Sequence, residues 1–125
     1  MQLEFGTLET AIKESWDQST CYLSELWNPS RPSTGHCKVT SLLVQDYFSG
    51  DILFANVNGQ DVWTHYWNQL PDKTSRDITF DQYALPISLL NIQIRSREQL
   101  MEDPNIQRTY PILKQRVQEY LNSHT

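Results

Sequence analysis

The sequence predicts an α+β fold in which a central helix packs on a small antiparallel sheet, with further helices at the N- and C-terminal ends. Three observations support this fold class. The first is an apolar segment with helical periodicity over residues 37–48, followed shortly by a glycine. The second is a set of three strand-like segments joined by turns directly after that helix. The third is an amphipathic helical pattern near each end of the chain.

Length and composition set the limits of this fold. The chain has 125 residues, which corresponds to one domain over 1–125. Four Trp, six Tyr and four Phe residues supply large apolar side chains for a core. The formal net charge of −5 argues against nucleic acid as a partner, because phosphate binding requires a basic surface. No apolar run approaches the roughly 18 residues of a membrane span, and no secretory signal is recognisable. We therefore expect a cytoplasmic protein with no membrane partner.

The N-terminal part of the chain predicts one helix and one long loop. Leu8, Ile12 and Trp16 recur at intervals of four residues, which indicates an amphipathic helix over residues 8–16. Residues 17–36 contain two prolines, four serines and two threonines, which predicts a loop with little regular structure. Loops of this length in compact domains are often functional.

The centre of the chain predicts a helix followed by a β-meander. Residues 37–48 form the apolar helix, and Gly50 lies where a helix-ending glycine is expected. Asn58-Gly59 is a strong hairpin signal. The three strands are predicted at residues 51–57, 62–70 and 76–80.

The C-terminal part predicts further helical segments. A helical turn is expected over residues 81–85, interrupted by Pro86. Ser96 and Gln99 have the spacing of a capping box, which predicts a helix over residues 97–102. Thr109 is expected to cap the last helix, with Pro111 in its first turn. The apolar stripe of that helix comprises Leu113, Val117, Tyr120 and Leu121.

Cys37 is the strongest candidate for a chemical role. It stands at the predicted N-terminus of the central helix, directly after the Gly35-His36 turn. The helix dipole and unpaired N–H groups at such a position favour a thiolate and can stabilise an oxyanion. A buried structural cysteine is the alternative, since cysteine is among the most buried residue types.

His65 and Asp77 could complete a catalytic arrangement with Cys37. His65 lies in the second predicted strand and Asp77 at the start of the third, so neighbouring strands could bring the two together. An imidazole next to a thiol can hold and return a proton, and a carboxylate can orient the imidazole. Taken singly, His65 could be a packed core histidine and Asp77 a surface carboxylate. The order cysteine, histidine, aspartate on helix, strand and next strand is typical of papain-like or NlpC-like cysteine enzymes.

Two further readings of the cysteines and histidines remain open. Cys21, His36, Cys37 and His65 carry zinc-ligand chemistry, but their spacing does not match the paired ligands of structural zinc sites, so we expect neither a metal nor a cofactor. Cys21 and Cys37 could form one disulfide, although free thiols are favoured in a reducing compartment.

Several segments resemble the YunG family of small bacterial proteins. They include G-H-C-K-V-T-S-L-L-V-Q-D, H-Y-W-N-Q-L-P, D-I-T-F-D-Q-Y, R-S-R and R-T-Y-P-I-L, which together cover almost the whole chain. The resemblance implies Cys37 as nucleophile, His65 as base and Asp77 as the orienting group, but it implies no substrate. The chain departs from the family pattern at His36, around Arg31-Pro32-Ser33, and at Lys73-Thr74-Ser75.

The leading functional hypothesis is a cysteine hydrolase or acyl transferase that acts on an amide, ester or thioester in an unknown small molecule or peptide. The Cys37 N–H would supply half of an oxyanion hole, while Gln18, Asn28, Ser30 and Ser33 offer no clear choice for the other half. The residues expected to bind substrate are Trp27, His36, Trp63, Trp67 and Asn68. The alternative is a catalytically inactive binding module in which Arg95 and Arg97 hold a carboxylate or phosphate.

Overall fold

The computed structural model describes residues 3–83 and 86–124, and it confirms the α+β class. The helices are α1 Phe5–Ser15, α2 Cys37–Phe48, α3 Arg97–Met101 and α4 Pro104–Ser123. The strands are β1 Asp51–Val57, β2 Thr64–Gln69, β3 Ser75–Arg76 and β4 Leu89–Arg95. Short 3₁₀ turns lie at Gln18–Thr20, Ser24–Leu26 and Phe80–Gln82. Within this part of the chain, no helix is both long and apolar enough to cross a membrane.

The four strands form one antiparallel sheet in the order β3-β2-β1-β4. β1 and β2 pair along their length, with Ile52 opposite Asn68 and Ala55 opposite His65. β4 pairs with the other edge of β1, with a register shift between Phe54 and Asn56. The meander of β1, β2 and β3 agrees with the prediction, whereas β4 extends the sheet beyond it.

The hydrophobic core lies where α1, α2 and α4 meet the sheet. α2 is the central element, because it presents a run of six buried residues, 39–44, to its neighbours. Leu8 and Ile12 of α1, together with Leu113 and Val117 of α4, are fully buried in the same cluster. The predictions that Leu8, Ile12, Leu113 and Val117 face the core are therefore confirmed.

The C-terminus of α2 depends on a glycine. Ser49 and Gly50 both take positive φ values, 64° and 86°. A Cβ atom on Gly50 would lie 2.3 Å from the Gln69 carbonyl oxygen. Only glycine allows this close approach of the chain to β2, so the predicted end of the central helix is confirmed.

Two strand predictions are corrected. Asn58 and Gly59 adopt the positive φ values of a turn, but the connection is longer than a two-residue hairpin, because the Val57 N–H bonds to the Trp63 carbonyl. The third strand comprises Ser75–Arg76 instead of residues 76–80. Its pairing with β2 ends there, and the following residues leave the ladder towards the core.

The C-terminal prediction is partly corrected. The Ser96–Gln99 capping box and α3 are confirmed. α4 begins at Pro104 with Asp103 as its N-cap, so Thr109 and Pro111 both lie in the interior of a continuous helix. A proline at the first helical position costs no hydrogen bond, which makes Asp103-Pro104 the stronger start signal. The helical turn expected over residues 81–85 is a 3₁₀ turn at Phe80–Gln82, and residues 84–85 lie outside the described part.

Candidate active site

Cys37 is the first residue of α2 and lies at the surface of a cleft. The preceding Gly35 has φ of 76°, and a Cβ atom there would lie 2.5 Å from the Cys21 sulfur. The turn that starts α2 therefore requires glycine. The first N–H groups of a helix have no partner within it, so the Cys37 side chain stands beside free backbone donors. Its side chain is partly exposed, as a nucleophile has to be.

The cleft has a volume of about 500 Å³ and is bordered mainly by apolar and aromatic side chains. Tyr22, Trp63, Tyr66 and Tyr83 contribute rings to its lining. The apolar side chains of Leu23, Leu26 and Val62 line it as well and are 40%, 60% and 93% exposed. The polar side chains that line it include Cys37, Lys38 and Gln82. Such a surface suits a ligand with an apolar or aromatic part.

His65 is fully buried in β2 and is fixed by an aspartate. Its Nε2 atom lies 2.7 Å from an Asp77 carboxylate oxygen. Its ring stacks on Trp67, with 5.7 Å between centroids and 16° between planes. The edges of Phe80 and Tyr83 close off another side of the ring. The imidazole is therefore held in one orientation by packing as well as by a hydrogen bond.

The charge state of His65 depends on its anionic neighbours. Burial alone lowers the pKa of His65, but the hydrogen bond with Asp77 and the neighbouring Cys37 sulfur outweigh burial and raise the pKa to about 9. A protonated His65 would therefore be stable beside a Cys37 thiolate. Burial and the charges of Cys37 and Asp77 also raise the pKa of Tyr83, so its hydroxyl stays neutral.

Gln82 is a site residue for which the sequence predicts no role. Its side-chain nitrogen lies 3.3 Å from Nδ1 of His65 and 3.3 Å from the Thr79 hydroxyl oxygen. It lines the cleft together with Cys37. The available signal was its position five residues after Asp77, within the D-I-T-F-D-Q segment that resembles the family pattern.

The residues expected to bind substrate do not all line the cleft. Trp63 lines the cleft. Trp67 is buried behind His65, and the Asn68 amide donates to the Ser41 carbonyl oxygen at 3.0 Å, which ties β2 to α2. Trp27 lies in the loop before α2, where its indole N–H donates to the Pro32 carbonyl oxygen. Trp67, Asn68 and Trp27 thus have packing contacts and are absent from the cleft lining.

His36 is in the core even though it adjoins Cys37 in sequence. Its ring is fully buried and stacks on Trp16, with 5.0 Å between centroids. Its Nε2 atom lies 2.7 Å from the Thr20 hydroxyl oxygen. Burial lowers the pKa of His36 to about 4, so the ring is neutral at physiological pH. The structure therefore does not bring His36 to the cleft with Cys37.

The two cysteines are both free thiols. Cys21 is buried, and its sulfur lies 3.3 Å from the carbonyl oxygens of Leu23 and Thr34. Burial raises the pKa of the Cys21 thiol. Among the described residues, no group of three or more histidine, cysteine or acidic side chains has an arrangement that could hold a metal ion.

Lys38 follows Cys37 and joins α2 to α4. Its ammonium group lies 2.9 Å from an Asp103 carboxylate oxygen, and the hydroxyl of Tyr22 donates to the same carboxylate. Burial lowers the pKa of Lys38, but the Asp103 hydrogen bond outweighs it and raises the pKa overall. The cation at the cleft wall is therefore already paired.

The arginines of the alternative hypothesis also have partners. Arg97 forms an ion pair with Asp46, with 2.6 Å between the charged atoms, and donates to the Tyr110 hydroxyl. The Arg95 guanidinium lies over the Phe54 ring, 4.1 Å from its centroid. Arg97 in particular has structural partners that would compete with an anionic ligand.

Fold and site together define an α+β protein in which a cysteine at a helix N-terminus borders a cleft, next to a buried histidine that is hydrogen-bonded to a partly exposed aspartate. The chain belongs to the YunG family, since the family model described as YunG protein matches residues 4–122. It is similar to the Uncharacterized protein YunG of Bacillus subtilis (strain 168), with 32% identity over 112 residues and 90% of each chain covered. No solved structure matches the chain.

Proposed function

We propose that this YunG-family protein is a papain-like cysteine hydrolase or acyl transferase that acts on an amide, ester or thioester. The observation that carries the proposal is the hydrogen bond between the buried His65 and the partly exposed Asp77, in a pair that neighbours Cys37 at the start of α2. The nucleophile lies at the start of α2, the base lies in β2, and the orienting group directly follows β3. A catalytic triad is identified by how its side chains are arranged in space, because sequence spacing alone does not define one.

The first half-reaction follows from the hydrogen bonds of His65. Because Nε2 donates to Asp77, the neutral ring presents Nδ1 as a base. Nδ1 takes the Cys37 proton, which gives the thiolate–imidazolium pair that the raised pKa of His65 favours, and the sulfur then attacks the carbonyl carbon of the substrate. The carbonyl electron pair moves to oxygen, where the Cys37 N–H at the N-terminus of α2 can donate to it. His65 then protonates the leaving group, which departs as an amine, alcohol or thiol and leaves an acyl group on Cys37.

The second half-reaction differs between a hydrolase and a transferase. Water attacks the acyl group in the former, and an acceptor such as an amine attacks it in the latter, with His65 taking the proton of the attacking group. The exposed apolar side chains of Leu23, Leu26 and Val62 favour an acyl group or peptide side chain that is apolar or aromatic. Two free thiols suit a reducing, cytoplasmic compartment.

The test is acylation by p-nitrophenyl esters with acetyl, hexanoyl and phenylacetyl groups. We expect a burst of nitrophenol stoichiometric with protein, and a thioester adduct that peptide mapping assigns to Cys37. Cys37→Ala should abolish the burst and His65→Gln should slow it by about 10²–10⁴-fold. Cys21→Ala is the matched cysteine control and should retain the burst.

Substrate preference and the second half-reaction are read in the same assay. The hexanoyl and phenylacetyl esters should react faster than the acetyl ester, and Trp63→Ala should reduce this preference. Added hydroxylamine yields a hydroxamate if an amine competes with water. A wild-type protein that forms no adduct on Cys37, or an adduct that is independent of His65, would contradict the proposal and favour a binding module.

A further inference from the structure

Four side chains next to Cys37 form a closed ring of hydrogen bonds. The Gln82 amide nitrogen lies 3.3 Å from Nδ1 of His65, and Nε2 of His65 lies 2.7 Å from Asp77. The Thr79 hydroxyl lies 3.5 Å from the second Asp77 oxygen. The ring closes because the same Gln82 nitrogen lies 3.3 Å from the Thr79 hydroxyl oxygen.

The direction of these bonds fixes one protonation state. An amide nitrogen can donate two hydrogen bonds but accept none, so Nδ1 of His65 has to be the acceptor. A carboxylate only accepts, so Nε2 of His65 has to carry the proton. All four partners are therefore satisfied in the neutral form of His65, in which Cys37 still holds its proton. Burial opposes the protonated form, but Asp77 and Cys37 favour it and raise the pKa of His65 to about 9, so the ring of hydrogen bonds opens when the proton passes from Cys37 to Nδ1. Once Nδ1 takes a proton, its N–H faces the N–H of the Gln82 amide. Nδ1 can then no longer accept the hydrogen bond from Gln82.

We propose that Gln82 is a catalytic residue whose amide bonds to Nδ1 of His65 while the ring is neutral and turns to the substrate oxyanion once Nδ1 carries the proton from Cys37. This inference rests on the function proposed above. In the step, the S–H bond of Cys37 breaks and an S–C bond forms. The proton goes to Nδ1, and the carbonyl π pair becomes the lone pair of the oxyanion. The oxyanion accepts from the Cys37 N–H and from the Gln82 amide.

The surroundings of Gln82 allow this movement. Its backbone is held, because its N–H donates to the Thr79 carbonyl and its own carbonyl oxygen lies 3.4 Å from an Arg31 guanidinium nitrogen. With the described residues, its side chain makes two hydrogen bonds, both within the ring and both at 3.3 Å, which is at the long end of hydrogen-bond distances. A rotation about the side-chain bonds can therefore redirect the amide into the cleft without moving the chain.

The donors considered from sequence are less suitable than Gln82. The Gln18 amide donates to the Ser24 carbonyl oxygen, and Ser33 is buried. Asn28 is exposed and its side-chain oxygen accepts from the Ser30 N–H. Gln82 lines the cleft with Cys37, whereas these four residues are absent from its lining. When the leaving group takes the proton from Nδ1, the amide regains its original acceptor and the ring closes again.

The test compares two reactions of Cys37 that differ in one respect. Acylation by a p-nitrophenyl ester passes through an oxyanion, whereas alkylation by iodoacetamide displaces iodide without forming one. Gln82→Met keeps the side-chain volume but removes the donor. We expect it to slow acylation by about 10²–10³-fold and to leave alkylation at pH 7 within threefold of wild type, or faster. Gln60→Met in the exposed β1–β2 connection is the matched control and should change neither rate.

The outcomes separate this inference from the proposed function. A wild-type protein that is alkylated but never acylated overturns the proposed function, and this inference with it. Acylation in the wild type that Gln82→Met slows no more than it slows alkylation overturns the role of Gln82 alone. If Gln82→Met unfolds in a thermal melt, Gln82→Glu replaces it, because a carboxylate of the same size accepts where an oxyanion donor is needed. Loss of acylation with retained alkylation is again the expected result.

Discussion

The Nε2 atom of His65 and the Asp77 carboxylate oxygen lie 2.7 Å apart, because β3 ends one residue before Asp77. β3 pairs with β2 only through Asn68 and Gln69. If the register continued by one residue, Asp77 would stand opposite Trp67, on the face of the sheet that His65 shares. The carboxylate is thus a diagonal neighbour of the imidazole, and leaving the ladder frees Asp77 to bond with it.

Because of the contact between His65 and Asp77, we expect the stability of the folded protein to fall as the pH rises above neutrality. Burial opposes protonation of His65, but Asp77 and Cys37 outweigh it and raise the pKa from 6.5 to about 9. A raised pKa in the folded state stabilises the protein fully below pH 6.5, and this stabilisation is lost as the pH rises through 9. We expect the free energy of unfolding in urea to fall by about 3 kcal/mol over that interval.

Asp77→Asn removes the main partner of the imidazolium and should flatten this pH dependence. Asp72→Asn is the matched control, because Asp72 lies in the β2–β3 turn, where it caps Thr74 and does not contact His65. A wild-type slope that Asp77→Asn leaves intact would show that another group titrates. Tyr83 and Cys37 are the other titratable neighbours of His65 and would be tested next.

The buried His36 should give the opposite pH dependence, in which the stability of the protein falls as the pH is lowered below 6.5. Burial lowers the pKa of His36 to about 4, so the unfolded chain binds a proton that the folded chain does not. Stability from the neutral ring is complete above pH 6.5 and is lost as the pH falls towards 4, by about 3 kcal/mol. His36→Gln should lower stability at pH 7 and flatten the slope between pH 6.5 and 4. His124→Gln, at an exposed histidine, is the control and should keep the wild-type slope.

The sequence was sufficient for α2 because several local signals agree there. Apolar residues at helical spacing coincide with Gly35 before the helix and Gly50 after it, and both glycines take the positive φ that their places require. The same agreement placed Cys37 correctly at the first position of α2. The contact of His65 with Asp77 could be anticipated only as one possibility, because it depends on the strand register and on where β3 ends.

Other features depend on tertiary structure and were missed for that reason. β4 has the alternation Leu90, Ile92, Ile94, but it is an edge strand with most residues exposed, so no burial pattern marks it. α4 keeps Pro111 in its interior because the apolar face around it packs in the core, which overrides a local helix breaker. Gln82 meets His65 only because the segment after β3 folds back over β2.

Asp103 connects Lys38 at the cleft wall to the start of α4, and we expect this connection to contribute to the stability of the protein. Its carboxylate caps α4 by accepting from the Asn105 N–H at 2.9 Å, and it also pairs with Lys38. Asp103→Ala removes both interactions and the hydrogen bond from the Tyr22 hydroxyl, whereas Asp103→Asn can still cap the helix. We expect Asp103→Ala to cost about 2 kcal/mol of unfolding free energy and Asp103→Asn about 1 kcal/mol less. Asp61→Ala, at an exposed bend, is the control, and equal losses in the two Asp103 variants would contradict a capping role.

We expect position 35, just before α2, to tolerate no side chain. With φ of 76° and a Cβ position 2.5 Å from the Cys21 sulfur, Gly35→Ala should cost about 1–3 kcal/mol through strain and overlap. In a Cys21→Ala background the sulfur is gone, so the cost of Gly35→Ala should decrease and the remainder should report the backbone strain. Gly6→Ala is the counterpart, because nothing lies within 4 Å of its Cβ position in α1, and it should raise stability by about 0.5–1 kcal/mol. Urea denaturation of the four variants measures each value, and a Gly35→Ala cost that is unchanged by Cys21→Ala would place the conflict in the backbone alone.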